Sequence, residues 1–157
     1  ALYRYFRNKE TLFLALFVES LNELILSAEK EITQAPLAQA ITNTLTSNPI
    51  YCKLSAILHT ILERNLTAEE ALQFKKTLLH LTSRYAQLLS QHPSLAESPD
   101  QAIALLMHIQ QAVIGVWHMT HPTGAIAEVI KTPPLDVFRQ GFNEALLSHI
   151  SKIIPNH

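Results

Sequence analysis

ALYRYFRNKETLFLALF, residues 1–17, sets a cluster of tyrosines and cations directly against an apolar helical run. Leu2 and Phe6 are four apart and share one helical face, which leaves Tyr3, Arg4, Tyr5, Arg7 and Lys9 at or near the surface. Phenol hydroxyls and cations at a junction of two helices suit phosphate oxygens, and the exposed amides at the start of the second helix add to that. From Asn8, a plausible N-cap, the residues Leu12, Leu16, Phe17, Leu21, Leu24, Ala28 and Ile32 recur near the helical period. That spacing predicts one long helix ending before Pro36.

Working outward, the remaining signals are also helical. A weaker stretch covers 37–46. Asn48-Pro49 places proline at a first helical position and opens a helix with Leu54, Ile57, Leu58 and Ile61 inward. Thr67-Ala-Glu-Glu70 has the form of a capping box, and Ala71, Phe74, Leu78, Leu81, Tyr85 and Leu88 follow as a stripe that ends near His92-Pro93. Ser98-Pro99-Asp-Gln101 is another start signal. Beyond it Ala102, Leu105, Leu106, Ile109, Val113, Val116 and Trp117 form a broad stripe, and Ile103, Met107 and Ile114 make a second side apolar. Residues 121–132 read as a connection. A last helix is predicted from Pro133-Pro134, with Leu135, Phe138, Phe142, Ala145, His149 and Ile153 close to a heptad seam. No strand signal competes, and the fold class is all-α.

Composition agrees. The chain has 157 residues, 48% of them apolar and 16% charged, which excludes a disordered segment and predicts extensive burial. Its formal net charge is −1, so DNA or RNA is not held by bulk charge; the first ten residues, with Arg4, Arg7 and Lys9 against Glu10, are the basic exception. A single cysteine, Cys52, excludes an internal disulfide. There is no continuous apolar run of about 18 residues and no leader pattern, so a soluble cytoplasmic protein with no membrane partner is expected.

The order of residues in the opening stretch adds a resemblance. LYRYFRNKETLFLALF resembles the signature of the tetracycline-repressor (TetR) family at the point where the recognition helix of a helix-turn-helix ends and the next helix begins. The pattern Leu-Tyr-x-x-Phe-x-x-Lys-(Glu)-x-Leu is met by Leu2, Tyr3, Phe6, Lys9, Glu10 and Leu12. By that resemblance Tyr3, Arg4, Tyr5 and Lys9 contact the DNA backbone, positioning the protein without reading bases. Residues 1–33 would then be the end of a DNA-binding domain and the linking helix, and 34–157 a C-terminal ligand-binding and dimerisation bundle. The family's first two helices and most of its third are not in this sequence, so base-reading residues would lie upstream of Ala1. The implied function is a DNA-binding transcriptional regulator, a repressor released from a double-stranded DNA operator by a small hydrophobic or amphipathic effector. The alternative is a helical ligand-binding and dimerisation module without a DNA function.

The resemblance also implies a twofold partner packed on the last two long helices. Leu106, Ile109, Val113, Leu135, Phe138, Phe142 and His149 are the candidate interface of a homodimer. For the effector, the candidates are polar or aromatic groups interrupting apolar faces: His59, Phe74, Tyr85, Met107, His108 and Trp117. His118 and His121, spaced i, i+3, lack further ligands at helical spacing, and no metal site or cofactor is expected. No phosphate loop, HExxH, GxSxG or DxDxDG motif occurs, and Cys52 and His59 are two turns apart on one helix, too far for direct proton transfer. No catalytic residue is assigned, and an enzyme is not expected.

Overall fold

The computed structural model describes residues 6–95 and 98–154, and all regular structure among them is helical. Helix α1 spans Lys9–Glu31. Its start is a closed capping box: Asn8 Oδ1 accepts from the Thr11 amide (2.9 Å), and Thr11 Oγ1 accepts from the Asn8 amide (3.2 Å). The buried stripe is Leu14, Phe17, Leu21, Leu24, Ile25 and Ala28. Leu16, expected inward, is 40% exposed, because the 14-17-21-24 spacing turns the inner face away from it.

Helix α2 (Leu37–Thr46) and helix α3 (Pro49–Ile57) follow. Pro49 holds the first turn of α3, but Asn48 does not cap it; its amide turns back and donates to the Thr44 carbonyl (2.8 Å). α3 then widens into a π turn at Leu58–Leu62. The longer period carries the inner face from Leu54 to Leu58 to Leu62, in steps of four, and leaves Ile61 half exposed. The expectation of Ile61 inward is corrected by that phase shift.

Helix α4 (Ala68–Ser90) buries Phe74, Leu81, Tyr85, Ala86 and Leu89. Thr67 Oγ1 accepts from the Glu70 amide (3.1 Å), yet the expected reciprocal half of the capping box is missing. The Glu70 carboxylate is drawn instead to the Arg7 guanidinium (2.8 Å), which also donates to the Asn65 carbonyl. A short 3-10 turn at Pro93–Leu95 leads toward helix α5 (Pro99–Thr120), whose Ser98/Gln101 capping box forms as expected. α5 is the central element, packed by α4, α3 and α7. Its stripe of Ala102, Leu105, Leu106, Ile109, Ala112, Val113 and Val116 is buried.

The chain beyond α5 departs most from expectation. The connection contains a short helix α6 (Gly124–Val129). No helix starts at Pro133-Pro134: a 3-10 turn covers Leu135–Phe138, Arg139 is extended, and helix α7 begins only at Phe142, running to Ile153. Residues 131–141 are all exposed, so little burial rewards a helix there, and Gly141 ends the extended stretch as the N-cap. α7 packs on α5 and α2 through Leu146 and Ile150, both fully buried and neither in the expected seam. α1 closes the other side against α2, α3 and α4. By length and composition α1 and α5 could cross a membrane, but each sets its apolar stripe into this core.

Candidate functional site

A cavity of about 360 Å³ lies where α1, α3, α4 and α5 meet. That volume is within the range of small-molecule sites, about 300–1,000 Å³. Its apolar wall comes from Phe17, Leu21 and Leu24 of α1, Leu58 of the π turn, Leu78 of α4, and Leu106, Ile109 and Ile114 of α5. The aromatic anchor is Tyr51, stacked on Phe17 at 5.4 Å between ring centroids; Phe74 tilts against the far side of Phe17 at 6.3 Å. Tyr51 donates its hydroxyl to Gln110 Oε1 (2.6 Å), tying α3 to α5 across the cavity. Tyr85 and Thr82 of α4 add two hydroxyls to the lining. Burial pushes the phenols of Tyr51 and Tyr85 above their usual range, so both are neutral hydrogen-bonding groups at ordinary pH.

The rim carries charge. His59 and Lys75 line the cavity and are each more than half exposed. Both are held by one carboxylate: Glu63 takes Lys75 Nζ at 2.9 Å and His59 Nδ1 at 3.2 Å. Burial alone would raise the Glu63 carboxyl, but the Lys75 ammonium and the His59 ring outweigh it and keep it below the usual range. The π turn is what brings His59 and Glu63 to the same rim as Lys75, since His59 lies within that turn and Glu63 caps it.

Of the six ligand-pocket candidates, His59, Tyr85 and Met107 line this cavity. Phe74 is buried behind Phe17 and lines a shallow depression on the other side of α1. His108 is exposed on α5. Trp117 is committed elsewhere: it stacks on His121 at 3.8 Å, and Phe142 packs edge-on at 5.2 Å, which locks α5 to α7. The residues missed were Tyr51, Lys75, Thr82, Gln110 and Gln111. Gln110 carried a legible signal, a polar residue beside the buried Ile109.

Of the interface candidates, Leu106, Ile109 and Val113 point into the subunit's own core, at 9%, 4% and 0% exposure, so a partner cannot reach them. Phe142 is half-buried against Trp117. Leu135, Phe138 and His149 are exposed. Of the DNA-backbone candidates, Tyr3, Arg4 and Tyr5 lie outside the described residues, while Lys9 is exposed at the first position of α1. His118 and His121 do not converge: His118 Nε2 donates to the Ala56 carbonyl and His121 Nδ1 to that of Trp117, both at 2.9 Å. Cys52 is fully buried with Sγ 3.3 Å from the Leu45 carbonyl, and burial pushes its thiol up to about 12, which suits a core residue and not a nucleophile.

An all-helical body built around α5, with an apolar cavity against its first long helix, has a counterpart among known families. The profile described as "Tetracyclin repressor-like, C-terminal domain" matches residues 13–154. The chain belongs to this family. No curated protein matches the chain closely enough to count as a relative. The match begins inside α1 and runs to the end of the described residues.

Proposed function

We propose that the chain is the effector-binding and dimerising part of a DNA-binding transcriptional regulator, a cytoplasmic repressor that a small hydrophobic or amphipathic molecule releases from its operator. The observation that carries this is the cavity wall: Phe17, Leu21 and Leu24 belong to the same helix that begins at Lys9, beside the phosphate-suited cluster Tyr3, Arg4, Tyr5 and Lys9. A molecule in the cavity therefore touches the helix that continues from that cluster. In this reading residues 1–33 link to the DNA-binding part and 34–157 form the effector and dimer body. The effector must prefer the state in which α1 is set wrongly for DNA, or it shifts nothing.

The proposed dimer face is the outer side of α5 together with α7. Met107, Gln111, Gly115 and Met119 stand four residues apart along α5 and are all exposed. Gly115 supports this reading. Glycine inside a helix costs about 1 kcal/mol relative to alanine, and a Cβ here would meet nothing within 4 Å in the subunit. No internal packing asks for glycine, whereas close approach of another backbone would. His149 contributes from α7 across an open groove that Met119 and Lys152 also line, and Leu135 and Phe138 supply exposed apolar area in the turn that precedes α7.

The test uses the full-length protein. A compound library is screened for ligands that raise Tm, and each hit is then added to a gel-shift assay on the operator. Hits should weaken DNA binding, and Lys9→Ala should lower DNA affinity while flattening its salt dependence. Ligands that raise Tm yet leave DNA binding unchanged would refute the release mechanism.

A further inference from the structure

The lining of the cavity is one-sided in its chemistry. Among the described residues no aspartate or glutamate lines it, whereas Lys75 and His59 do. Its inner polar groups, the hydroxyls of Tyr85 and Thr82 and the amides of Gln110 and Gln111, are uncharged and can all donate. Gln110 Oε1 is already taken by Tyr51, which leaves the Gln110 amide N–H groups to offer. Tyr85 is 6% exposed, lines the cavity, and its hydroxyl forms no hydrogen bond to any described residue. A cationic guest would find no counter-charge inside, and Glu63 at the rim is already shared by two partners.

Glu63 also shows what the rim holds. It does not line the cavity, yet its carboxylate bridges the two basic groups that do. Lys75 reaches it on a flexible stem that is 56% exposed, with its ammonium 5.5 Å from the Phe74 ring centroid, so the pair can part without unpacking the core. His59 Nε2 has no partner among the described residues.

Resting on the effector-binding reading above, we propose that the cavity takes an anionic amphipath, a monocarboxylate whose apolar body fills the cavity and whose carboxylate displaces Glu63 from Lys75 and His59. The exchange replaces one carboxylate by another at the same two donors, and the displaced Glu63 carboxylate, which does not line the cavity, turns outward to water. The freed Glu63 caps the π turn, whose Leu58 and Leu62 are buried where that turn packs on α1, so exchange at the rim acts on the segment touching the linking helix.

Calorimetric titration of the full-length protein with octanoate, octanol and octyltrimethylammonium tests this, because the three share one tail and differ in head charge. Octanoate should bind most tightly. Lys75→Gln should weaken octanoate about tenfold, the loss of one hydrogen bond to a charged group, and leave octanol unchanged. Glu63→Gln should strengthen octanoate by removing its competitor, an effect that a merely structural role for Glu63 would not produce. Lys75 is exposed and Glu63 is half-buried outside the apolar core, so the variants should fold, and their unfolding curves check this. Equal binding of the three probes, no binding of octanoate, or octanoate affinity unmoved by both substitutions overturns the proposal. Thr82→Trp, which plugs the cavity, separates the two readings. If octanol binding is lost in that variant, the cavity reading stands even when the anion proposal fails; if binding survives, the cavity itself is wrong.

Discussion

Gly115→Ala separates the interior of the subunit from its proposed partner. In a helix interior alanine is favoured over glycine by about 1 kcal/mol, and the new methyl meets no heavy atom within 4 Å inside the subunit. A chain that never associates should therefore gain about 1 kcal/mol, seen as a rise in Tm of about 2–4 °C at this size. Across a close-packed twofold face the same methyl overfills the contact, at about 1–3 kcal/mol per copy. Symmetry introduces it twice. Even the low end, about 2 kcal/mol, raises the dimer dissociation constant about thirtyfold. Sedimentation equilibrium over a range of concentrations reads the association, and unfolding of the dilute protein reads the subunit. The expected pattern is opposite in sign: a weaker dimer of more stable subunits, with Gly115→Leu fully monomeric. If both variants raise Tm and leave association unchanged, Gly115 is not at an interface, and the outer face of α5 is not the dimer surface.

Three further outcomes follow from the geometry. Leu62→Ala should cost about 2–5 kcal/mol in chemical unfolding and Ile61→Ala close to nothing, the reverse of what unbroken α-helical spacing gives, because the π turn puts Leu62 at 1% exposure and Ile61 at 50%. Tyr51→Phe should lower stability by about 1 kcal/mol, since it keeps the stack on Phe17 and removes only the hydrogen bond to Gln110. Glu63 titrates below its unfolded value, so its contribution is fully present above that value and is lost as pH falls through the folded one; the stability gap between wild type and Glu63→Gln should shrink below about pH 4.

The helical body was readable because most helices here announce themselves locally. Asn8, Pro49, Thr67 and Ser98 each stand at the start of a helix, and the stripes of α4 and α5 are continuous at helical spacing. Two features resisted for a common reason. Ile61 and the 134–141 segment were assigned by extending a period past the point where tertiary contacts sustain it. A stripe predicts burial only if a neighbour is there to cover it. For the same reason the side chains read as a dimer seam on α5 turned out to be core: apolar spacing marks a face that must be covered and does not say whether α3, α4 and α7 or a second chain covers it. The cavity was half legible. His59, Tyr85 and Met107 interrupt apolar faces, but Lys75 and Gln111 look like ordinary surface residues until α4 and α5 are set side by side.

Under the proposed release mechanism, the Arg7–Glu70 contact offers a route from the cavity rim to the start of α1. Arg7 precedes α1 and holds the first turn of α4 through Glu70, while Lys75, five residues further along α4, holds the cavity rim. One helix thus carries both the tie to the start of α1 and the cation facing the cavity. The tie is a pair of exposed groups in water, and such pairs hold weakly. Glu70 forgoes the return half of its capping box to make it, so the acceptor that would otherwise close the start of α4 is spent on α1. A strongly buried pair there would fix α1 against α4 in one arrangement. A weak one leaves the arrangement free to change, and the proposed release requires that freedom if a ligand's preference for one state is to move the population.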